Sequence, residues 1–184
     1  MARRRLRLTA SEEPATTPRG SRRPGRLLRT GKERSVHTAE YSITRKLAAE
    51  PQRVYRAWTT PAGFSRWFGP REFTMPEDRI VMQTRPGGAW QVVMLDDAGN
   101  EHALGGVYRE LDAPARLVMT TGHPDDTTSG TASTVSVMFK PTGDGGTEMT
   151  MRQQGLTTDA ARAEDAVAGW RQFFDRLAEH LGQR

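Results

Sequence analysis

The feature that most constrains this sequence is a helical pattern of apolar residues near its C-terminal end. Large apolar side chains recur there at intervals of three and four positions: Val167, Trp170, Phe173, Phe174, Leu177 and Leu181. The spacing predicts a helix of more than about twenty residues with one apolar face. Its N-cap candidates are residues 157–159, and Gly182 marks its end. So long an apolar face needs a broad apolar partner, and the sequence offers only a β-sheet.

The sheet is predicted by segments that alternate between apolar and polar residues and are separated by turn residues. Two of the turns, 97–100 and 141–146, have the composition of hairpin loops. Short turns between neighbouring strands are typical of an antiparallel sheet. The predicted strands cover residues 41–47, 79–84, 89–95, 103–111, 116–121, 134–140 and 147–153.

Two short helices are predicted between the first and second strands. Pro51 suits the first position of one helix. Thr60 followed by Pro61 repeats the start signal, with the threonine as N-cap. Gly69 and Pro70 end the second helix. The fold class is therefore α+β, with two short helices after the first strand and one long helix after the last.

Charge divides the sequence into two parts. Residues 1–38 hold eleven Lys and Arg against three Asp and Glu, a balance of +8, so the net charge of +5 leaves −3 for residues 39–184. The first part has few large aliphatic residues and no periodicity, which predicts a disordered basic tail. One interpretation of the tail is an electrostatic arm that binds nucleic acid or anionic lipid. The interpretation that we favour is a solvated segment, or translated sequence upstream of the true start of the protein. The acidic remainder argues against a specific nucleic-acid-binding fold.

Composition narrows the classes of protein further. The sequence has no cysteine, which excludes disulfides and thiolate chemistry. No apolar run approaches the roughly 18 residues that a membrane-spanning helix needs. The Arg-rich beginning lacks the apolar core of a secretory signal. We therefore expect a soluble cytoplasmic protein whose domain, residues 39–184, folds on its apolar core alone.

A cavity is expected between the long helix and the sheet. A sheet of this length twists and curls, and a straight helix touches a curled sheet unevenly. Methionine is abundant among the inward positions, and its flexible side chain suits a pocket that adapts to apolar ligands; the alternative is that these methionines fill gaps in an ordinary core. The predicted ligand-binding residues are Trp67, Trp90, Val92, Met94, Met119, Val137, Met149, Met151, Trp170 and Phe174.

Several short motifs resemble one known superfamily. Residues 39–184 are similar to the START-like superfamily, also called SRPBCC or helix-grip proteins. Within it they resemble the branch related to the C-terminal domain of the activator of the heat-shock-protein ATPase. The resemblance covers about four fifths of the chain and rests on residues 54–61, 67–70, 85–90, 106–111, 114, 116–118, 169–170 and 177–181.

The resemblance implies a helix-grip fold and leaves three functions open. The first is non-catalytic binding of a small hydrophobic ligand between the sheet and the C-terminal helix. The second is a protein-interaction module that acts on a chaperone ATPase or another protein. The third is a cyclase-like or hydrolase-like enzyme that uses the same pocket. Where the eukaryotic activator has a folded N-terminal domain, this chain has a basic tail, which argues against chaperone stimulation.

The sequence contains no specific catalytic or metal-binding constellation. Of the four histidines, His102 could face the pocket as an acid or base, but a surface position on its strand is favoured. The other three, His37, His123 and His180, are assigned to the tail, a loop and the exposed face of the last helix. We expect no metal and no cofactor, and the expectation leans towards a protein that is not an enzyme. Polar residues that could orient a ligand are Gln91, Tyr108, Arg109 and Gln153. Arg109 could pair with a ligand carboxylate. Tyr108 and Arg109 are adjacent on a strand, so at most one of them faces inward.

Overall fold

The structure, a computed structural model, describes residues 37–122, 133–158 and 160–182. The predicted tail lies outside the described residues except for its last two, which begin the first strand. The loop that contains His123 and the adjacent carboxylates Asp125 and Asp126 also lies outside them.

The described elements follow the predicted α+β order. Two helices come after the first strand, six further strands follow, and a long helix ends the domain. The seven strands are β1 (His37–Leu47), β2 (Ile80–Met82), β3 (Ala89–Leu95), β4 (Glu101–Asp112), β5 (Arg116–Thr121), β6 (Ser133–Pro141) and β7 (Thr147–Thr158). The helices are α1 (Pro51–Thr59), α2 (Pro61–Phe64) and α3 (Ala160–Gly182), and a 3₁₀ helix over Glu77–Arg79 precedes β2.

The strands form one antiparallel sheet in the order β1-β7-β6-β5-β4-β3-β2. Strand β1 pairs with β7, so the first strand lies beside the last and not beside the second. Helix α3 directly follows β7 and lies next to β1 and β7. The helix-grip fold predicted from the sequence is confirmed.

The short helices begin where the sequence predicts. Pro51 and Pro61 occupy first-turn positions of α1 and α2. The hydroxyl of Thr60 accepts a hydrogen bond from the Gly63 nitrogen at 3.2 Å, as an N-cap does. Helix α2 ends at Phe64, earlier than the end that the sequence predicts at Gly69 and Pro70, and turns lead from it to Gly69. Gly69 has φ of +95°, a backbone conformation that glycine adopts most readily.

The sheet bends sharply within β4. The first part of this strand pairs with β3 and its last part pairs with β5, and the register shifts between Tyr108 and Glu110. At the bend, a Cβ atom on Gly106 would lie 1.9 Å from the Thr120 carbonyl oxygen, so only glycine permits this approach. The bend curls the sheet around α3 and gives it the concave face that the predicted cavity requires.

The long helix begins at Ala160, directly after the last of its three predicted N-cap candidates. Thr157 and Thr158 end β7 instead of capping α3, because β7 continues past the predicted end at 153 to remain paired with β1. The third candidate, Asp159, lies outside the described residues. The helix spans 23 residues and includes Gly182, which the sequence predicts as its end.

Candidate functional site

The C-terminal half of α3 is packed against the sheet by aromatic side chains. Phe174 is fully buried, and its ring centroid lies 6.2 Å from that of Trp58 on α1 and 6.3 Å from that of Trp67 after α2. Trp58 and Trp67 are themselves 4.6 Å apart and both are fully buried. We call this cluster, which also includes Phe139 and Leu177, the packed half of the helix–sheet interface. The two short helices insert their aromatic residues between α3 and the sheet and fill the space.

The N-terminal half of α3 leaves a cleft between the helix and the sheet. Its volume is about 300 Å³, the low end of the range of ligand sites. We call it the apolar cleft, because aromatic and aliphatic side chains provide most of its surface. It is lined by Phe68, Leu104, Thr121, Gly122, Ser133, Gln153, Ala166, Gly169, Trp170 and Phe173.

The cleft stays open because the helix presents small residues to it. Ala166 and Gly169 occupy the positions of α3 that face this part of the sheet. A Cβ atom on Gly169 would have no heavy atom within 4 Å, so the space beside this residue is empty. Gly122 on the sheet side likewise carries no side chain into the cleft. Larger side chains at these positions would close the gap.

A hydrogen-bonded cluster of polar side chains lies at the inner wall of the cleft. Gln153 on β7 is 5% exposed and stands at its centre. Its Oε1 atom accepts hydrogen bonds from the Trp170 Nε1 atom, at 2.7 Å, and from the Tyr41 hydroxyl. Its Nε2 atom donates to the Ser133 hydroxyl at 2.6 Å. The cluster therefore joins β1, β6, β7 and α3 at the cleft.

The Tyr41 hydroxyl in this cluster stays protonated at neutral pH. Burial raises the pKa of Tyr41 to about 12, against the opposing effect of a hydrogen bond with Trp170. A protonated phenol donates, which fits its contact with the Gln153 carbonyl oxygen. The cluster is consequently uncharged over the physiological pH range.

The predicted ligand-binding residues are mostly buried, but few of them meet the cleft. Trp170 lines it and is 7% exposed. Met94 is half-buried at the edge of the core. The other eight lie in the buried core: Trp67, Trp90, Val92, Met119, Val137, Met149, Met151 and Phe174. The two-residue period of the strands thus identifies inward positions, while the packed half fills the space in front of most of them.

The other polar candidates fall on both sides of the sheet. Gln153 faces the cleft, whereas Gln91 is exposed. Tyr108 faces inward, and burial, followed by the charge of Tyr55, raises its pKa. Arg109 is exposed, so the suggestion that it pairs with a ligand carboxylate in the pocket is wrong. Adjacent strand residues point to opposite faces, and the inward one is the tyrosine.

The histidines do not enter the cleft either. His102 is exposed, with its Nε2 atom 3.1 Å from the Asp96 carboxylate, as the favoured surface assignment predicts. His180 is half-buried and lines a separate depression between α1 and the end of α3, where an exposed position was expected. Burial, followed by the charges of Arg53 and Arg66, lowers the pKa of His180. Within the described ranges, no cluster of three His, Cys, Asp or Glu residues could hold a metal ion.

The separate depression at His180 is larger and more polar than the apolar cleft. It has a volume of about 470 Å³ and is lined by Arg53, Arg56, Glu50 and Gln52 in addition to His180, Ala57, Thr60, Gly63 and Leu181. Charged side chains on its wall favour water over an apolar molecule. The apolar cleft is the smaller of the two spaces and has the less polar lining.

No helix in the described part of the chain is long and apolar enough to cross a membrane.

Comparison with known proteins agrees with this architecture. The model of the family described as activator of Hsp90 ATPase homolog 1-like protein, AHSA1, matches residues 48–182. A solved structure from Chromobacterium violaceum is similar to this chain with a TM-score of 0.67 and 27% identity, covering 79% of this chain and 98% of that chain. No curated protein matches the sequence.

Two further solved structures show the same likeness. One, from Rhizobium leguminosarum, has a TM-score of 0.66 and 27% identity and covers 82% of this chain and 98% of that chain. The other is an AHSA1 protein from Silicibacter pomeroyi, with a TM-score of 0.66 and 25% identity, covering 78% of this chain and 97% of that chain. The similarity extends over nearly the whole of each of these structures, and the residues matched by the family model include the described lining of the apolar cleft.

Proposed function

Because the chain belongs to the family of activator of Hsp90 ATPase homolog 1-like proteins, we propose that it is a helix-grip binding protein that holds a small apolar molecule in the apolar cleft. The observation that carries this proposal is the cleft itself, an unfilled space of about 300 Å³ beside an otherwise aromatic-packed interface. Phe68, Trp170 and Phe173, whose ring centroids lie within 5.9 Å of one another, line this space.

The volume of the cleft suggests the size of the ligand. A cavity of about 150 Å³ in another protein holds one benzene molecule. The apolar cleft is about 300 Å³, which suits a molecule of roughly two fused rings or an alkyl chain of similar volume. Aromatic rings bind such ligands through offset-stacked and edge-to-face contacts, and burying their apolar surface provides the main driving force.

The family name also allows a protein-interaction role on a chaperone ATPase. No described residue favours that role over ligand binding, and a protein-binding surface would not depend on the interior of the cleft. The enzyme alternative would need an acid or a base beside the ligand. The described lining residues are all uncharged, so they favour binding over acid–base catalysis.

A blocked variant tests the proposal. We expect 2-acetylnaphthalene, a neutral two-ring ketone, to bind the full chain with one-to-one stoichiometry in native mass spectrometry and in a tryptophan-fluorescence titration. Gly169→Leu should weaken this binding at least tenfold, because the new side chain enters the empty space beside the helix. Ala168→Leu is the matched control, since Ala168 is exposed on the same helix, and it should leave the Kd within about twofold of the original.

Two results would contradict the proposal. One is the absence of any bound species, both with the ketone and in freshly purified protein. The other is equal binding to the Gly169→Leu and Ala168→Leu variants, which would place the ligand elsewhere. If a partner protein is captured equally well by both variants while the ketone fails to bind, the interaction role replaces ligand binding.

A further inference from the structure

We propose that the apolar cleft selects uncharged molecules that carry one hydrogen-bond acceptor, such as a ketone, an ester or an ether, and that the amide nitrogen of Gln153 is the group that recognises the acceptor. This inference rests on the proposed ligand-binding function and makes it more specific. It starts from a polar side chain that is more than nine-tenths buried and lines the cleft.

The orientation of the Gln153 amide is determined by its partners. The indole Nε1 of Trp170 can only donate a hydrogen bond, and it lies 2.7 Å from one end of the amide. The protonated Tyr41 hydroxyl donates to the same end. That end is therefore the oxygen, and the nitrogen points away from both donors, towards the Ser133 hydroxyl at 2.6 Å.

The nitrogen has one donor to spare. An amide nitrogen carries two hydrogens, and among the described residues it has one acceptor, the Ser133 hydroxyl. The Oε1 atom is already engaged by two donors, so the amide has less capacity to bind a ligand donor than a ligand acceptor. A ligand with an acceptor atom at this wall satisfies the second hydrogen, whereas a hydrocarbon of the same shape leaves it without a partner.

The lining also selects against charge. Every described residue of the lining is uncharged: Phe68, Leu104, Thr121, Gly122, Ser133, Gln153, Ala166, Gly169, Trp170 and Phe173. Arg109, the cation that the sequence suggested for a carboxylate, points to solvent from the outer face of β4. A carboxylate that enters the cleft loses its hydration without gaining a cation. A neutral acceptor loses less hydration and gains the same hydrogen bond.

Three probes of nearly equal shape test this selectivity on the full chain: 2-acetylnaphthalene, 2-ethylnaphthalene and 2-naphthoate. The ketone should have the lowest Kd, at least fivefold below that of the hydrocarbon, and the carboxylate should bind most weakly. Equal binding of ketone and hydrocarbon, or tightest binding of the carboxylate, overturns the inference while leaving the proposed function intact. Failure of all three probes to bind overturns both.

A substitution at the amide tests the role of the nitrogen. Gln153→Glu keeps an oxygen that accepts from Trp170 and Tyr41 but has no hydrogen to spare for a ligand acceptor. The ionised carboxylate carries no hydrogen, and the protonated acid, which burial favours, carries only one, which the Ser133 hydroxyl can accept. The ratio of hydrocarbon Kd to ketone Kd should then fall to one or below. Gln91→Glu, the same change at an exposed position, should leave this ratio unchanged.

The ratio separates recognition from a structural role. If Gln153 only supports the fold, its substitution weakens the binding of ketone and hydrocarbon by the same factor and the ratio is conserved. A conserved ratio in the Gln153→Glu variant therefore overturns the assignment of the amide nitrogen, and a selective loss of ketone binding supports it.

Discussion

The two halves of α3 face the same sheet but meet it differently. The C-terminal half rests on the packed half of the interface, where Trp58, Trp67 and Phe174 have ring centroids within 6.3 Å of one another. The N-terminal half rests above the apolar cleft, where Ala166 and Gly169 leave space unfilled. Trp170 belongs to both, because it lines the cleft and stacks on Trp58 at 6.0 Å.

The difference teaches where a helix-grip fold can hold a ligand. Curvature of the sheet creates a gap along the helix, and the two short helices fill one end of that gap with aromatic side chains. The other end stays open because small residues face it. Side-chain volume at a few positions, and not the backbone alone, thus decides which end is packed and which end stays open.

Adjacent phenylalanines give the largest expected contrast between the halves. Phe174→Ala should lower the free energy of unfolding by about 3–5 kcal/mol, the usual cost of truncating a fully buried ring, because Phe174 is 0% exposed. Phe173→Ala should lower the free energy of unfolding by less than about half as much, since Phe173 is only partly buried. It should, however, weaken the binding of 2-acetylnaphthalene. Urea denaturation and the ligand titration measure the two effects, and equal losses of stability would contradict the division into halves.

Adding volume should have opposite effects in the two halves. Leu177→Phe should destabilise the protein by about 1–3 kcal/mol through overpacking, because Leu177 belongs to the packed half and is fully buried. Gly169→Leu should stabilise the protein by up to about 1 kcal/mol, since leucine has a higher helix propensity than glycine. Thermal unfolding of both variants checks this, and a lowered Tm for Gly169→Leu would show that the cleft has no room.

The smallest expected effect is the pH dependence of stability, which arises at His180 near the C-terminal end of α3. Burial and the nearby arginines lower the pKa of His180 in the folded protein, while the unfolded chain takes up a proton near the ordinary value of about 6.5. Protonation therefore favours the unfolded state, and the free energy of unfolding should fall as pH decreases through this value. Chemical denaturation between about pH 7.5 and pH 5.5 should show the fall, and His180→Gln should reduce it.

Ligand binding in the open half should not follow that response. The described lining of the cleft is uncharged, and Tyr41 titrates only near its raised pKa of about 12. The Kd of 2-acetylnaphthalene should stay constant over the same pH interval in both the original chain and the His180→Gln variant. A Kd that changes with pH, or a pH slope of stability that His180→Gln leaves unaltered, would contradict this part of the account.

Periodicity in the sequence predicted the fold in detail. The bounds of β3 and β5 agree with the predicted segments 89–95 and 116–121, because apolar and polar residues alternate there between turn residues. Strand β7 was predicted too short, ending at 153, since its continuation to Thr158 depends on pairing with β1. That pairing is a contact between distant parts of the chain, which a local pattern does not reveal.

The site was harder to predict than the fold. The strand period identified which side chains face inward, such as Met149 and Met151, and both are fully buried. The strand period could not show that aromatic residues of the short helices already fill the space in front of those side chains. The signals of the cleft were small residues on an otherwise apolar helix face, Ala166 and Gly169, and a glutamine at an inward strand position, Gln153.

Fluorine NMR of the protein labelled with 5-fluorotryptophan tests the location of the ligand most directly. The chain has four tryptophans, and each gives one signal that a single Trp→Phe variant assigns. Trp170 lines the cleft, whereas Trp58, Trp67 and Trp90 lie in the core. On addition of 2-acetylnaphthalene, the Trp170 signal should shift most, with a smaller shift at its stacked neighbour Trp58. A largest shift at Trp67 or Trp90, or four unchanged signals at saturating ligand, would contradict the account.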